Sequence, residues 1–122
     1  MSSLDESLRR ILAVQGVQAA ALIDMATGMV VRSAGEENAN LPAAAASMAD
    51  EAPAARTAAG PARPGGELDE ITLFTTGRMQ LGKIVQSRPG EGLLLFVDLD
   101  RSQANMALAS LRVGREALAV LA

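Results

Sequence analysis

The sequence predicts an α/β fold whose elements run helix, two strands, helix, three strands, helix. Three observations predict it. Leu93 to Val97 is an unbroken apolar run, which needs cover on both faces and so belongs in the middle of a sheet. Asp100 and Gln103 follow it with the spacing of a helix cap, and Ala104, Ala107, Leu108, Leu111, Arg115, Leu118 and Leu121 then recur at helical spacing. The remaining strands are short and bounded by turn chemistry, as at Asp24 to Gly28 and at Gly77 and Arg78.

In chain order, Ser3 and Glu6 form a second candidate cap. Leu4, Leu8, Ile11 and Leu12 supply one apolar helical face, and Gly16 suits the position beyond the helix end. A helix over about Leu4 to Val14 follows. Val17 to Ile23 is apolar and small, Asp24 opens a turn by bonding its own backbone, and Met29 to Ser33 is the return strand of a hairpin. Gly35 to Asn40 is a polar loop. Leu41, Ala45, Met48 and Ala52 share one face of an Ala-rich helix, with Pro42 tolerated in its first turn and Pro53 expected to end or kink it. Gly60 to Gly66 reads as a loop. Ile71 and Leu73 alternate with Thr72 and Phe74 in the next strand. Gly77-Arg78 is a candidate two-residue hairpin turn into Met79 to Gln86, and Arg88 to Gly90 turns into the central strand. One domain, residues 4–122, accounts for the whole pattern.

Composition narrows function by exclusion. The chain has 122 residues, 49% of them apolar and 20% charged, enough to bury roughly two-thirds of its unfolded surface. Two Phe and no Tyr or Trp leave an aliphatic core and no platform for stacking bases. The net charge of −3 also argues against nucleic-acid binding, which needs a basic patch. Without Cys or His there is no thiolate chemistry, no nucleophile–histidine pair and no zinc site of the usual ligands. No apolar run approaches the roughly 20 residues of a membrane span, and the N-terminus lacks the pattern of a signal peptide. A cytoplasmic protein is expected. Ten arginines beside one lysine, with abundant alanine, resemble the bias of a high-GC bacterial genome.

Two patterns invite a chemical reading and are outweighed. Gly77 to Lys83 has the G-x-x-x-x-G-K spacing of a phosphate-binding loop, but Ile84 stands where Ser or Thr would hold Mg²⁺, and the stretch reads as strand rather than helix start. Lys83 is better read as an outward-facing strand residue. Asp98 and Asp100 at the end of the central strand are too few carboxylates for a protein-made cation site. With no nucleophile set beside a base, no catalytic residue, cofactor site or metal site is assigned. The chain is expected not to be an enzyme.

Val17 to Asp24 followed by Thr27-Gly28, the Ala-rich helix, Ile71 to Thr75 before a short turn, and Leu94 to Ala109 with its acidic turn and Ala104-Asn105-Met106-Ala107 helix start together resemble the Roadblock/dynein light chain family. The resemblance spans about Leu4 to Ala122. It implies a profilin-like sandwich, a five-stranded antiparallel sheet with helices on both faces. It also implies a homodimer in which the middle helices pack together and the third strands join two sheets. Candidate interface residues are then Leu41, Ala45, Met48 and Ala52 on the helix and Ile71 and Leu73 on the strand. Members of the family act as non-catalytic adaptors, and bacterial ones are found with small Ras-like GTPases. The resemblance therefore implies a regulator that binds such a GTPase and alters its nucleotide cycle. The rival expectation is a scaffold for a kinase or adaptor complex that leaves GTP hydrolysis alone. Arg32, Arg56, Arg78, Arg88 and Arg101 are equal candidates for contacting the partner.

Overall fold

A computed structural model describes residues 3–35, 40–60, 62–86 and 92–120. Its elements are α1 (Ser3–Leu12), β1 (Val17–Asp24), β2 (Val30–Gly35), α2 (Leu41–Ala59), β3 (Glu70–Phe74), β4 (Arg78–Gln86), β5 (Leu93–Asp100) and α3 (Met106–Val120). The strands form one five-stranded sheet in the order β2-β1-β5-β4-β3, and every pair is antiparallel. This is the expected element order, with the last strand at the centre. Of the loop expected over Gly35 to Asn40, Glu36 to Ala39 lie outside the described residues, as does the turn expected at Arg88 to Gly90.

Alternation along β5 explains its unbroken apolar run. Leu95, Val97 and Leu99 point to the side covered by α1 and α3, where they meet Leu8, Ile11, Leu81 and Val113. Leu94 and Phe96 point to the other side and meet Ala19, Ala21, Ala45 and Met48 beneath α2. Both layers are aliphatic around a single buried ring, Phe96.

The turns follow local chemistry. The Asp24 carboxylate accepts from the amide of Ala26, and its carbonyl accepts from Gly28, where a φ of +74° suits glycine. At the second hairpin the turn sits one residue earlier than expected. Thr75 and Arg78 close it through backbone and hydroxyl bonds, leaving Thr76 and Gly77 at the tip. Arg78 is drawn into β4 because its side chain is tied down on the sheet, as described below. Pro53 lies inside one uninterrupted helix, which runs on to a left-handed cap at Gly60. Proline there costs one amide donor, and the exposed position spares its ring a clash with the core.

Helix α3 departs most from expectation. Its N-cap is Asn105, whose side-chain oxygen accepts from the amide of Leu108. Asp100 instead accepts from the amide and hydroxyl of Ser102, in the turn that precedes α3. The buried stripe is Ala109, Val113 and Ala117, whereas Leu108, Leu111 and Leu118 are exposed. The reason is volume. The sheet presents large side chains on this side (Met79, Leu81, Leu95, Leu99), so the covering helix approaches closely only through small ones. Leu121 lies outside the described residues.

Gly82 has a role that its motif did not suggest. A Cβ there would run into the Met48 side chain and lie 3.1 Å from Leu94, so its bareness lets α2 pack over β4. Lys83, expected to face outward, turns instead toward α3. Its side chain is 19% exposed and paired with Asp69. No helix among the described residues is long and apolar enough to cross a membrane.

Candidate protein-binding interface

The edge of the sheet and the helix beside it build the candidate interface. Among the described residues β3 pairs with β4 alone, so its other side presents backbone donors and acceptors without a strand partner there. Its register places Ile71 opposite Gly82 and Leu73 opposite Gln80, both on the α2 side of the sheet. Ile71 packs against the core beneath α2, while Leu73 is 39% exposed. Phe74, on the opposite side, is half exposed beneath the Arg101 guanidinium, 5.0 Å from the ring centre. Arg101 also donates to the Thr75 carbonyl at 2.8 Å, which ties the β3 end to the loop after β5.

The structure separates the six residues expected at the interface. Leu41, Ala45, Met48 and Ala52 are at most 8% exposed, and the first three pack in the protein's own core. A second helix cannot reach them while α2 stays on its sheet. The stripe is a packing face, as its spacing indicates, but it packs inward. α2 turns Ala43, Ser47, Asp50 and Ala54 outward, at i, i+4, i+7 and i+11, and these residues are small enough for close approach.

At the far end of the same side of the sheet lies a polar cluster. Asp98 follows Leu94 and Phe96 in alternation and is 3% exposed. It accepts both prongs of the Arg78 guanidinium, from Nε at 2.9 Å and from a terminal nitrogen, and that terminal nitrogen also donates to the Gln18 side chain. A fork of this kind fixes the position of arginine as well as neutralising the buried acid. Gln18 reaches the cluster where the β1–β5 register slips between Val17 and Ala19. Sequence reading missed this group. The signal was present in an Asp embedded in an apolar strand and one polar residue interrupting β1.

The two carboxylates that the sequence offers as cation ligands are thus engaged separately, Asp98 by Arg78 and Asp100 by Ser102. The hydroxyl and amide of Ser102 hold the Asp100 carboxyl below its usual range. No cluster of metal-ligating side chains is found among the described residues. Arg32 pairs with Asp5, Arg56 lies against the Met25 sulfur, and Arg88 is outside the described residues.

No family model matches the sequence, and no curated protein matches it. Solved structures do. The gliding protein MglB from Thermus thermophilus superposes with a TM-score of 0.80 over 97% of this chain and 85% of that one, at 21% identity. MglB from Myxococcus xanthus gives 0.79 over 98% and 93%, at 18% identity. A Roadblock/LC7 domain from Streptomyces avermitilis gives 0.70 over 98% and 96%, at 19% identity. The chain has the Roadblock/LC7 fold. The antiparallel sheet with helices on both faces, implied by the sequence resemblance, is the arrangement observed. Within the Roadblock/LC7 frame, β3 is the free edge on one flank and β2 on the other.

Proposed function

We propose that the protein is a non-catalytic dimeric adaptor of the cytoplasm, a single Roadblock-like domain over residues 4–122. In this reading it binds a bacterial Ras-like small GTPase and modulates its nucleotide cycle. The observation that carries the reading is the Roadblock/LC7 fold with an unpaired β3 edge beside a shallow outer face of α2. Edge strands invite pairing with another chain, and the β3 edges of two copies would extend one sheet into the other. Ala43, Ser47, Asp50 and Ala54 would then let the two α2 helices approach. A surface spanning both copies can hold one conformation of a GTPase switch loop more tightly than another and so shift its population.

The deciding assay is GTP turnover by a candidate Ras-like GTPase from the same genome, with and without this protein in excess. A several-fold change in hydrolysis or nucleotide release, saturating with added protein, is the expected outcome. Binding that leaves both rates unchanged would replace the regulatory reading with that of a scaffold for a kinase or adaptor complex.

A further inference from the structure

The leucines that α3 leaves outside are organised. Ala107, Leu111, Gly114 and Leu118 recur at i, i+4, i+7 and i+11, a continuous line along one side of the helix. Leu111 is 54% and Leu118 79% exposed. Beside this line, between α3, the start of β3 and the end of β4, lies an open cleft of about 760 Å³. Lys83, Val85 and Ser110 contribute to its walls, and Leu111, Gly114 and Leu118 form the α3 rim. An apolar seam of alternating small and large residues over a recess has the form of a helix-binding groove.

Charge selects the occupant. Arg115 lines the same cleft and Arg112 stands one turn before it. Neither has an ion pair or hydrogen bond among the described residues. The neighbouring acids are engaged: Asp69 with Lys83, Glu70 with the Ser110 hydroxyl, and Glu116 with Arg10. A second copy of this chain fits poorly. An antiparallel pairing centred near Gly114 sets Leu111 against Leu118 of the other copy but brings the two Arg115 side chains together along one flank, a juxtaposition of like charges. An anionic bilayer fits poorly as well. It leaves the recess unfilled, and the chain as a whole carries a net charge of −3.

We propose that the α3 seam and its cleft bind an amphipathic helix of a partner protein, with carboxylates along the edge that faces Arg112 and Arg115. The site lies on the opposite side of the sheet from α2, and the proposal stands or falls independently of the GTPase reading.

The test uses the full chain and a fluorescein-labelled peptide of about 18 residues, with leucine every third or fourth position and glutamate on one flank. A matched peptide carries lysine in place of glutamate, and binding is read by anisotropy. The glutamate peptide is expected to bind roughly tenfold more tightly than the lysine peptide, and Arg115→Glu to reverse that order. Leu111→Ser combined with Leu118→Ser is expected to abolish binding of both while leaving the thermal midpoint in place, because both residues are exposed. Equal binding of the two peptides, or none, overturns the proposal. So does a drop in oligomer mass for the double serine variant by sedimentation, which would make a second copy the occupant. Retention on phosphatidylserine vesicles that depends on Leu118, without peptide binding, would assign the seam to a membrane instead. GTP turnover measured on the double serine variant separates the two sites: unchanged regulation with lost peptide binding is the result expected of independent surfaces.

Discussion

Arg78 and Asp98 show how unequal two partners in one ion pair can be. Asp98 is almost wholly buried, whereas the Arg78 side chain is 37% exposed. Removing the arginine strands a carboxylate where water cannot reach it. Removing the acid leaves a guanidinium that can turn outward. Arg78→Met is therefore expected to destabilise the fold by about 3 kcal/mol, the scale of an unpaired buried charge, and Asp98→Asn by about 1 kcal/mol. Urea denaturation of the two variants checks the order; an equal or inverted cost would mean that the cluster is more solvated than its geometry indicates. Gly82 acts through an absence at the same scale, since its missing side chain is what lets Met48 and α2 settle on β4.

Among the elements, α3 tests whether packing or pattern decides burial. Pattern favours the leucines; packing selects Ala109, Val113 and Ala117. Val113→Ala removes two buried methyl groups and is expected to cost about 1–2 kcal/mol. Leu118→Ala removes more atoms, yet from a side chain 79% exposed, and is expected to stay within about 0.5 kcal/mol of the parent. Thermal unfolding of the pair decides it. A larger loss at Leu118 would put the leucine stripe in the core after all. Helix α2 teaches the same lesson from the other side. Its apolar stripe was legible, but which neighbour it faced was not, because a helix covers its own sheet before it meets another chain.

For the whole molecule, the proposed dimer separates variants by face. Ala45 is fully buried under α2, so Ala45→Arg is expected to unfold the chain and says nothing about assembly. Ala54 lies on the outer side of α2, and Ala54→Arg is expected to leave the fold intact while lowering the mass in solution from two copies to one at micromolar concentration. Circular dichroism together with sedimentation checks both. A dimer that tolerates arginine at position 54 would move the contact to the β3 edge alone. The Lys83 stretch illustrates the limit of short motifs at this scale. Its phosphate-loop spacing runs from a hairpin tip into a strand, with Gly82 packed under α2 and Lys83 turned to α3.

By itself the sequence determined the order of elements, the central place of β5, the turn at Asp24 and the aliphatic character of both layers. These follow from local chemistry: apolar runs, capping residues and glycines act within a few positions along the chain. It also carried enough of the Roadblock pattern to imply the fold. Only the tertiary structure decided that α3 buries Ala109, Val113 and Ala117 in place of the leucine stripe, which way α2 faces, and that Arg78, Asp98 and Gln18 meet. Those outcomes depend on volumes and partners contributed by residues distant in sequence. Gln18 and Arg78 lie 60 positions apart, and strand pairing alone brings them within reach.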